Sequence, residues 1–156
     1  MNKKTIILAD DDRDDIEMFC EVLETVSENM HCVCAENGDR TLKLLNEINE
    51  KPDLIFLDIN MPVMNGWECL KFIKSNADYK DIPVIMISTS SYKNDMDKAS
   101  DLGAVGYFVK PNDYNDLKYL LQTITSNLES CLSEALVKLQ SNGAKNIFHL
   151  QKTNNI

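Results

Sequence analysis

Four stretches of the sequence carry side chains suited to phosphate or metal chemistry, and each closes a short apolar run. Asp10-Asp11-Asp12 follow Ile6 to Ala9, Asp58 follows Leu54 to Leu57, Ser88-Thr89-Ser90-Ser91 follow Val84 to Ile87, and Lys110-Pro111 follow Tyr107 to Val109. Alone, each has an ordinary use: an Asp run caps a helix, a lone Asp forms a turn, Ser caps the next helix, and Lys-Pro makes a surface turn. Brought to one edge they pose a different problem, because carboxylates of Asp10, Asp11 and Asp58 held close together repel and raise one another's pKa. Something positive must then sit among them. Mg²⁺ suits the need, since it takes oxygen ligands, is held by one or two carboxylates and keeps positions for water and phosphate oxygen. Lys110 supplies a second, compact positive charge on a flexible stem. A Zn²⁺ site is not indicated, because no Cys or His accompanies the acids.

Phosphoryl transfer needs little beyond these parts, since its loose transition state is stabilised by positioning and positive charge. Asp58 is the natural acceptor, as a carboxylate is ionised at neutral pH without a general base. The Ser88 hydroxyl and the Lys110 ammonium are the donors for the new phosphoryl oxygens. Charge-assisted hydrogen bonds of this kind are worth roughly 1.5–3 kcal/mol each, the same size as the roughly 1–3 kcal/mol of coupling used by allosteric switches.

The elements that must position these residues are legible as a pattern. The apolar runs Ile6–Ala9, Cys32–Ala35, Leu54–Leu57, Val84–Ile87 and Tyr107–Val109 are mostly continuous rather than alternating, as in parallel strands covered on both faces. Between them lie helical spacings: Ile16, Phe19, Leu23 and Val26; Leu42, Leu45 and Ile48; Trp67, Leu70 and Ile73. A last helix after Pro111 carries Leu117, Leu120, Leu121, Ile124 and Leu128 on its buried side. Five repeats of strand and helix predict a parallel, doubly wound α/β fold with right-handed crossovers. Such sheets bind ligands at the carboxyl ends of their strands, where the polar residues lie.

Composition narrows the field. A chain of 156 residues fits one domain plus an appendage, and 44% apolar with 26% charged residues is that of an ordinary globular protein. The net charge of -9 opposes the phosphate neutralisation that nucleic-acid binding requires. Cys20, Cys32, Cys34, Cys69 and Cys131 form neither a C-x-x-C pair nor a zinc-spaced cluster with His, and are read as small apolar residues in a reducing compartment. The apolar run after Met1-Asn2-Lys3-Lys4 is too short for a signal or membrane segment, so the expected location is cytoplasmic, with no membrane partner.

At these residues the sequence resembles the receiver domain of two-component response regulators. The resemblance rests on Ile6-Ile7-Leu8-Ala9-Asp10-Asp11-Asp12, on Leu54 to Pro62 with Asn65-Gly66 beyond, on Pro83 to Ser88, and on Gly103 to Pro111, in family order over about residues 4 to 126. It implies a flavodoxin-like sheet of five parallel strands in the order 2-1-3-4-5. It also implies Asp10 and Asp11 as the acidic pocket, Mg²⁺ on Asp11, Asp58 and the Asn60 backbone carbonyl, and Asp58 as phosphoacceptor. Ser88 then corresponds to the switch hydroxyl, Tyr107 to the aromatic whose rotamer follows it, and Lys110 to the lysine before a cis proline. The phosphate donor would be a sensor histidine kinase or phosphotransfer protein, with loss by self-catalysed hydrolysis and a downstream protein target. Two features depart from the commoner pattern: Ser rather than Thr at position 88, and a polar following helix anchored by little beyond Met96 and Ala99. The long connection from Ser75 to Ile82 and the hydroxyl-rich Ser88-Thr89-Ser90 resemble the small stand-alone receivers that partner phytochrome-like sensor kinases.

The expected division is a receiver domain over 1–126 and a helical extension and tail over 127–156. Apolar spacing runs on through Leu128, Cys131, Leu132, Ala135, Leu136 and Leu139 until Asn142-Gly143 stops it. Such a helix either folds back on the domain or forms a coiled-coil or partner-binding extension; a homodimer through it, or through the face of the fourth and fifth strands, is a further expectation. Residues 144–156, with Phe148 and Leu150 among polar neighbours, have no assigned role. Two other functions compete: a hydrolase working through an aspartyl intermediate, disfavoured because position 60 is Asn rather than a second Asp, and a constitutive scaffold with an idle site.

Overall fold

Most of the apolar runs become strands because they lie between two layers of helices with no face left for water, whereas the run at Cys32–Ala35 forms an edge strand that stays partly exposed. A computed structural model of the chain describes residues 3–128 and 130–150; the outer ends of both expected segments and position 129 lie outside the described residues. Five parallel strands form as expected: β1 Lys4–Ala9, β2 Met30–Ala35, β3 Leu54–Asp58, β4 Val84–Ser88 and β5 Gly106–Val109. Between and after them run α1 Arg13–Val26, α2 Gly38–Glu47, α3 Gly66–Ser75, α4 Lys93–Asp101 and α5 Tyr114–Ser126.

Because successive strand residues point to opposite faces, the core divides into two layers. Ile6, Leu8, Leu54, Phe56, Ile85, Ile87 and Phe108 pack towards α1 and α5, with Phe19 edge-on to Phe56 at 5.0 Å between ring centroids. Ile7, Ala9, Ile55, Leu57, Met86 and Tyr107 pack on the other side with Leu45, Leu70, Ile73 and Ala99 from α2, α3 and α4. Helix starts follow local chemistry: the carboxylate or amide oxygens of Asp12, Asn37, Asn65 and Asp113 each accept an N–H from the first turn of the next helix. Of these five helices α4 is the exception, preceded by Tyr92 with no side-chain cap and burying only Ala99.

The sheet differs from the expectation of five strands. A sixth, β6 Ile147–His149, pairs antiparallel with β5, giving the order β2-β1-β3-β4-β5-β6. The open edge of β5 explains it: unpaired backbone groups there need partners, and the segment supplies them, Val109 N donating to Asn146 O at 2.7 Å and Leu150 N to Val105 O at 3.0 Å.

The extension also differs in being broken. α5 ends at Ser126, and α6 Leu132–Ser141 begins after a turn, then stops with Gly143 at φ 86, a left-handed position that suits glycine. α6 folds back: Ala135, Leu136 and Leu139 are buried, Leu136 and Leu139 in the same layer as α1 and α5. Its apolar face is therefore occupied within the chain. No helix among the described residues is long and apolar enough to cross a membrane.

Candidate functional site

The carboxyl ends of β1, β3, β4 and β5 deliver Asp10, Asp58, Ser88 and Lys110 to one edge, as the sequence pattern requires. Asp10 and Asp58 are held in matching ways. Asp10 Oδ1 accepts the Asp12 N–H at 2.9 Å, and Asp58 Oδ1 accepts the Asn60 N–H at 3.0 Å. Each thus has one oxygen tied to the backbone two residues ahead, and turns Oδ2 to Lys110 Nζ, at 3.0 Å in both cases. The carboxylates are oriented by their own turns before any ligand arrives.

Asp15 completes the ion cluster, accepting from Lys110 Nζ at 2.8 Å. Sequence reasoning missed it. The signal was available: in a helix starting at Arg13, Asp15 lies in the first turn and overlies the strand end that carries Asp10. Burial lowers the Lys110 pKa, but hydrogen bonds to Asp15, Asp58 and Asp10 outweigh it and hold the ammonium above its ordinary value. Asp10 is also raised, but here burial prevails: it and the neighbouring Asp58 lift the pKa to about 6, against the opposing help of the Asp12 N–H and Lys110.

The oxygen set fits a hard divalent cation. Asp10, Asp11 and Asp58 each offer a carboxylate oxygen, all within 4.8 Å of one another, with Asp11 exposed and the other two buried. Asn60 is exposed at the start of the loop after β3, with its N–H committed to Asp58. That loop is drawn in by Gly66, whose N–H donates to Ile59 O at 2.9 Å and where a Cβ would stand 2.2 Å from the Asp58 carbonyl oxygen. Val63 in the same loop has φ 67, a conformation costly for a β-branched residue, and is 82% exposed.

Ser88 is buried beside this group, with Oγ accepting the Ser90 N–H at 3.0 Å. Tyr107 has a fully buried ring, and its hydroxyl donates to Ser90 O at 2.8 Å. The two expected switch residues thus meet through one loop residue, Ser90. The peptide bond before Pro111 is trans, so the cis proline implied by the resemblance is not found; nothing in the structure explains this departure.

A family model for the response regulator receiver domain matches residues 6–122. Response regulator Rcp1 of Synechocystis sp. is 32% identical over 128 residues, covering 79% of this chain and 87% of that protein. The Sensory transduction protein LytT of Oceanobacillus iheyensis is 35% identical over 125 residues, but this chain spans only 49% of its length. Among solved structures, the Mn²⁺-bound form of Rcp1 superposes with TM-score 0.72 at 31% identity, covering 82% of this chain and 96% of that one. The phosphorylated cyanobacterial phytochrome response regulator RcpA gives TM-score 0.75 at 30% identity, covering 82% and 95%. Receivers are signalling modules that hold a divalent metal in an acidic pocket and are generally phosphorylated on an aspartate by histidine kinases. With the strand order, the acidic edge and these matches in agreement, the chain belongs to the family of response regulator receiver domains.

Proposed function

We propose that the chain accepts a phosphoryl group on Asp58 from a sensor histidine kinase or phosphotransfer protein, with Mg²⁺ as the metal, and passes the signal to a downstream protein. The observation that carries this reading is the pairing of Asp58 Oδ2 with Lys110 Nζ at 3.0 Å inside the same oxygen group as Asp10 and Asp11. Asp10, Asp11, Asp58 and the Asn60 carbonyl would hold the ion, which when bound neutralises carboxylate and phosphoryl charge. In the transfer, an Asp58 carboxylate oxygen forms the new bond to phosphorus as the bond from phosphorus to the donor's leaving atom breaks. Lys110 Nζ then donates to a phosphoryl oxygen in place of the carboxylate it now serves.

Ser88 needs no new conformation of its backbone to take part, because a hydroxyl can accept from Ser90 N and still donate its own proton to the phosphoryl group. Pulling Ser88 towards Asp58 moves Ser90, and with it the carbonyl that receives the Tyr107 hydroxyl. The next helix, α4, buries only Ala99 and lacks a side-chain cap, which suits an element of low local stability that changes place. The surface beside it is a candidate protein-binding face, with Tyr92 at its start 74% exposed. A homodimer through the last helix would have to use residues other than Leu136 and Leu139, such as the half-exposed Val137. A cytoplasmic location is part of the same reading.

The test is incubation with Mg²⁺ and acetyl phosphate. Stoichiometric phosphate that is labile to acid and base, is lost in Asp58→Asn and needs the divalent ion is the expected result. Labelling that persists in Asp58→Asn, or turnover of a generic phosphate ester dependent on Asp58, would overturn it.

A further inference from the structure

A second group of metal-capable side chains lies apart from the carboxylates and takes no part in the chemistry described above. Cys32 and Cys34 are two apart on β2 and so share one face of that edge strand, and α1 crosses the same face with Cys20. The three sulfurs form a nearly equilateral triangle, with Cys20 to Cys32 at 3.9 Å, Cys20 to Cys34 at 3.6 Å and Cys32 to Cys34 at 3.9 Å. All three thiols are free.

Simple packing does not account for this group. Cysteine as a small apolar residue is among the most buried of side chains, and Cys69 in this chain behaves so, being fully buried. Cys34 is exposed, and Cys20 and Cys32 are only partly covered. Cys32 packs against the core beneath α1, but Cys20 and Cys34 do not, so a core contact accounts for one of the three sulfurs and not for their convergence.

The dimensions match metal coordination. An ion at the centre of this triangle would stand about 2.2 Å from each sulfur, within the roughly 0.2 Å tolerance around a metal–thiolate bond of about 2.3 Å. The ligand count selects among ions. Thiolates favour soft or borderline d¹⁰ cations such as Cu⁺ and Zn²⁺, and structural zinc centres are four-coordinate. Among the described residues the group holds no histidine, no carboxylate and no fourth cysteine. Three sulfurs and no fourth ligand suit the trigonal coordination of Cu⁺.

We propose that Cys20, Cys32 and Cys34 form a three-sulfur binding site for a soft monovalent cation, Cu⁺. Each metal–sulfur bond that replaces an S–H bond releases its proton to water, and no change of oxidation state is involved. Cys34 is the natural first ligand, because as the exposed member of the group it meets solvent first.

The experiment titrates the reduced full chain with Cu⁺, added anaerobically as its acetonitrile complex, against a chromophoric Cu⁺ chelator, with Zn²⁺ in a parallel arm. One Cu⁺ per chain is expected, with three sulfur neighbours by X-ray absorption. Affinity should fall about 100-fold or more in each of Cys20→Ser, Cys32→Ser and Cys34→Ser and stay unchanged in Cys131→Ser. Far-UV circular dichroism and the urea midpoint establish that each serine variant is folded, so that a loss of copper reports the missing ligand. Copper that survives all three substitutions, no binding beyond that of the triple variant, or tighter binding of Zn²⁺ with a fourth ligand would each overturn the proposal.

Discussion

Two triads able to take a cation lie in one small protein and differ in how their charge is managed. Asp10, Asp11 and Asp58 meet at the carboxyl ends of β1 and β3, two of them buried, and Lys110 is already within 3.0 Å of both buried members. Cys20, Cys32 and Cys34 meet between α1 and the edge strand β2, as a group of uncharged thiols with no carboxylate among them in the described residues. The oxygens carry their charge before any metal binds, so the fold has to supply a cation of its own. The sulfurs can remain thiols, and the fold there carries no comparable electrostatic demand. Substitutions around the acids should therefore be costly to folding, and those at the cysteines cheap.

The largest effect is expected at Gly66. A Cβ there would come within 2.2 Å of Asp58 O and 2.8 Å of Ile59 Cα, both backbone atoms that cannot swing aside. Gly66→Ala should cost about 4 kcal/mol, the range reserved for severe steric conflict, and displace Asp58 enough to slow phosphorylation by acetyl phosphate about 100-fold. Urea denaturation and a labelling time course measure the two. A loss below about 1 kcal/mol would mean that the loop after β3 gives way and that the close approach is not what places Asp58.

Next comes Lys110→Met, which removes the internal cation while keeping the length of the stem. Breaking a buried ion pair costs about 3–5 kcal/mol, and the lower end is expected because Lys110 is 18% exposed and Asp15 43% exposed. Millimolar Mg²⁺ should return part of that stability by mass action. Cys34→Ser, by contrast, should stay within about 0.5 kcal/mol of the parent. If the two variants lose similar amounts, the contrast in charge management is wrong.

How much of this was legible in the sequence follows the same physics. The five parallel strands and the positions of Asp10, Asp58, Ser88 and Lys110 were readable because continuous apolar runs are what strands buried on both faces require, and polar residues at their ends have one place to go. Four things were not read from the sequence, most of them for want of a local signal. β6 is three residues long and exists by virtue of the β5 edge and of α6 beside it, so its apolar members Ile147 and Phe148 show no strand pattern of their own. Asp15 looked like one more acid in a solvated first turn. The sulfur triangle escaped a reading based on spacing along the chain, because Cys20 joins Cys32 and Cys34 only once α1 is laid over β2. The break between α5 and α6 was hidden by apolar spacing that runs across it without a Gly or Pro.

The pH dependence of the acidic triad should be of intermediate size. Asp10 has an ordinary pKa of 3.8 and is raised to about 6 in the folded chain, so between those values the folded state binds the extra proton. Stability from this group is then greatest below about pH 4 and is lost as pH rises through 6, by up to roughly 2–3 kcal/mol. Comparing urea stability of the parent with Asp10→Asn from pH 4 to pH 7 isolates it: the parent should lose stability relative to the variant as pH rises. Mg²⁺ should flatten the difference, because a divalent ion favours the ionised carboxylate. A parent that instead gains on the variant with rising pH would show Asp10 to be stabilised in its charged form, and Lys110 alone to be sufficient.

The smallest effect concerns what the acidic triad is connected to. Tyr107→Phe deletes a hydroxyl that donates to Ser90 O at 2.8 Å and also meets the Ser88 side chain, and leaves a buried ring of nearly the same shape, so the cost to folding should be about 1 kcal/mol. Phosphorylation of Asp58 and Mg²⁺ affinity should change less than about twofold, within the roughly ±0.5 kcal/mol of a change that touches no ligand, because Tyr107 meets the loop after β4 rather than the carboxylates. The loop itself should respond differently. In the parent, amide hydrogen exchange at Ser90 to Lys93 is expected to shift on phosphorylation together with the near-ultraviolet signal of Tyr107, since one bond ties them. In the variant, exchange at the loop should change without any accompanying change across β5. Identical responses in both proteins would leave the acidic triad as isolated from its surroundings as the sulfur triad, and the path from Ser88 through Ser90 to β5 would have to be abandoned.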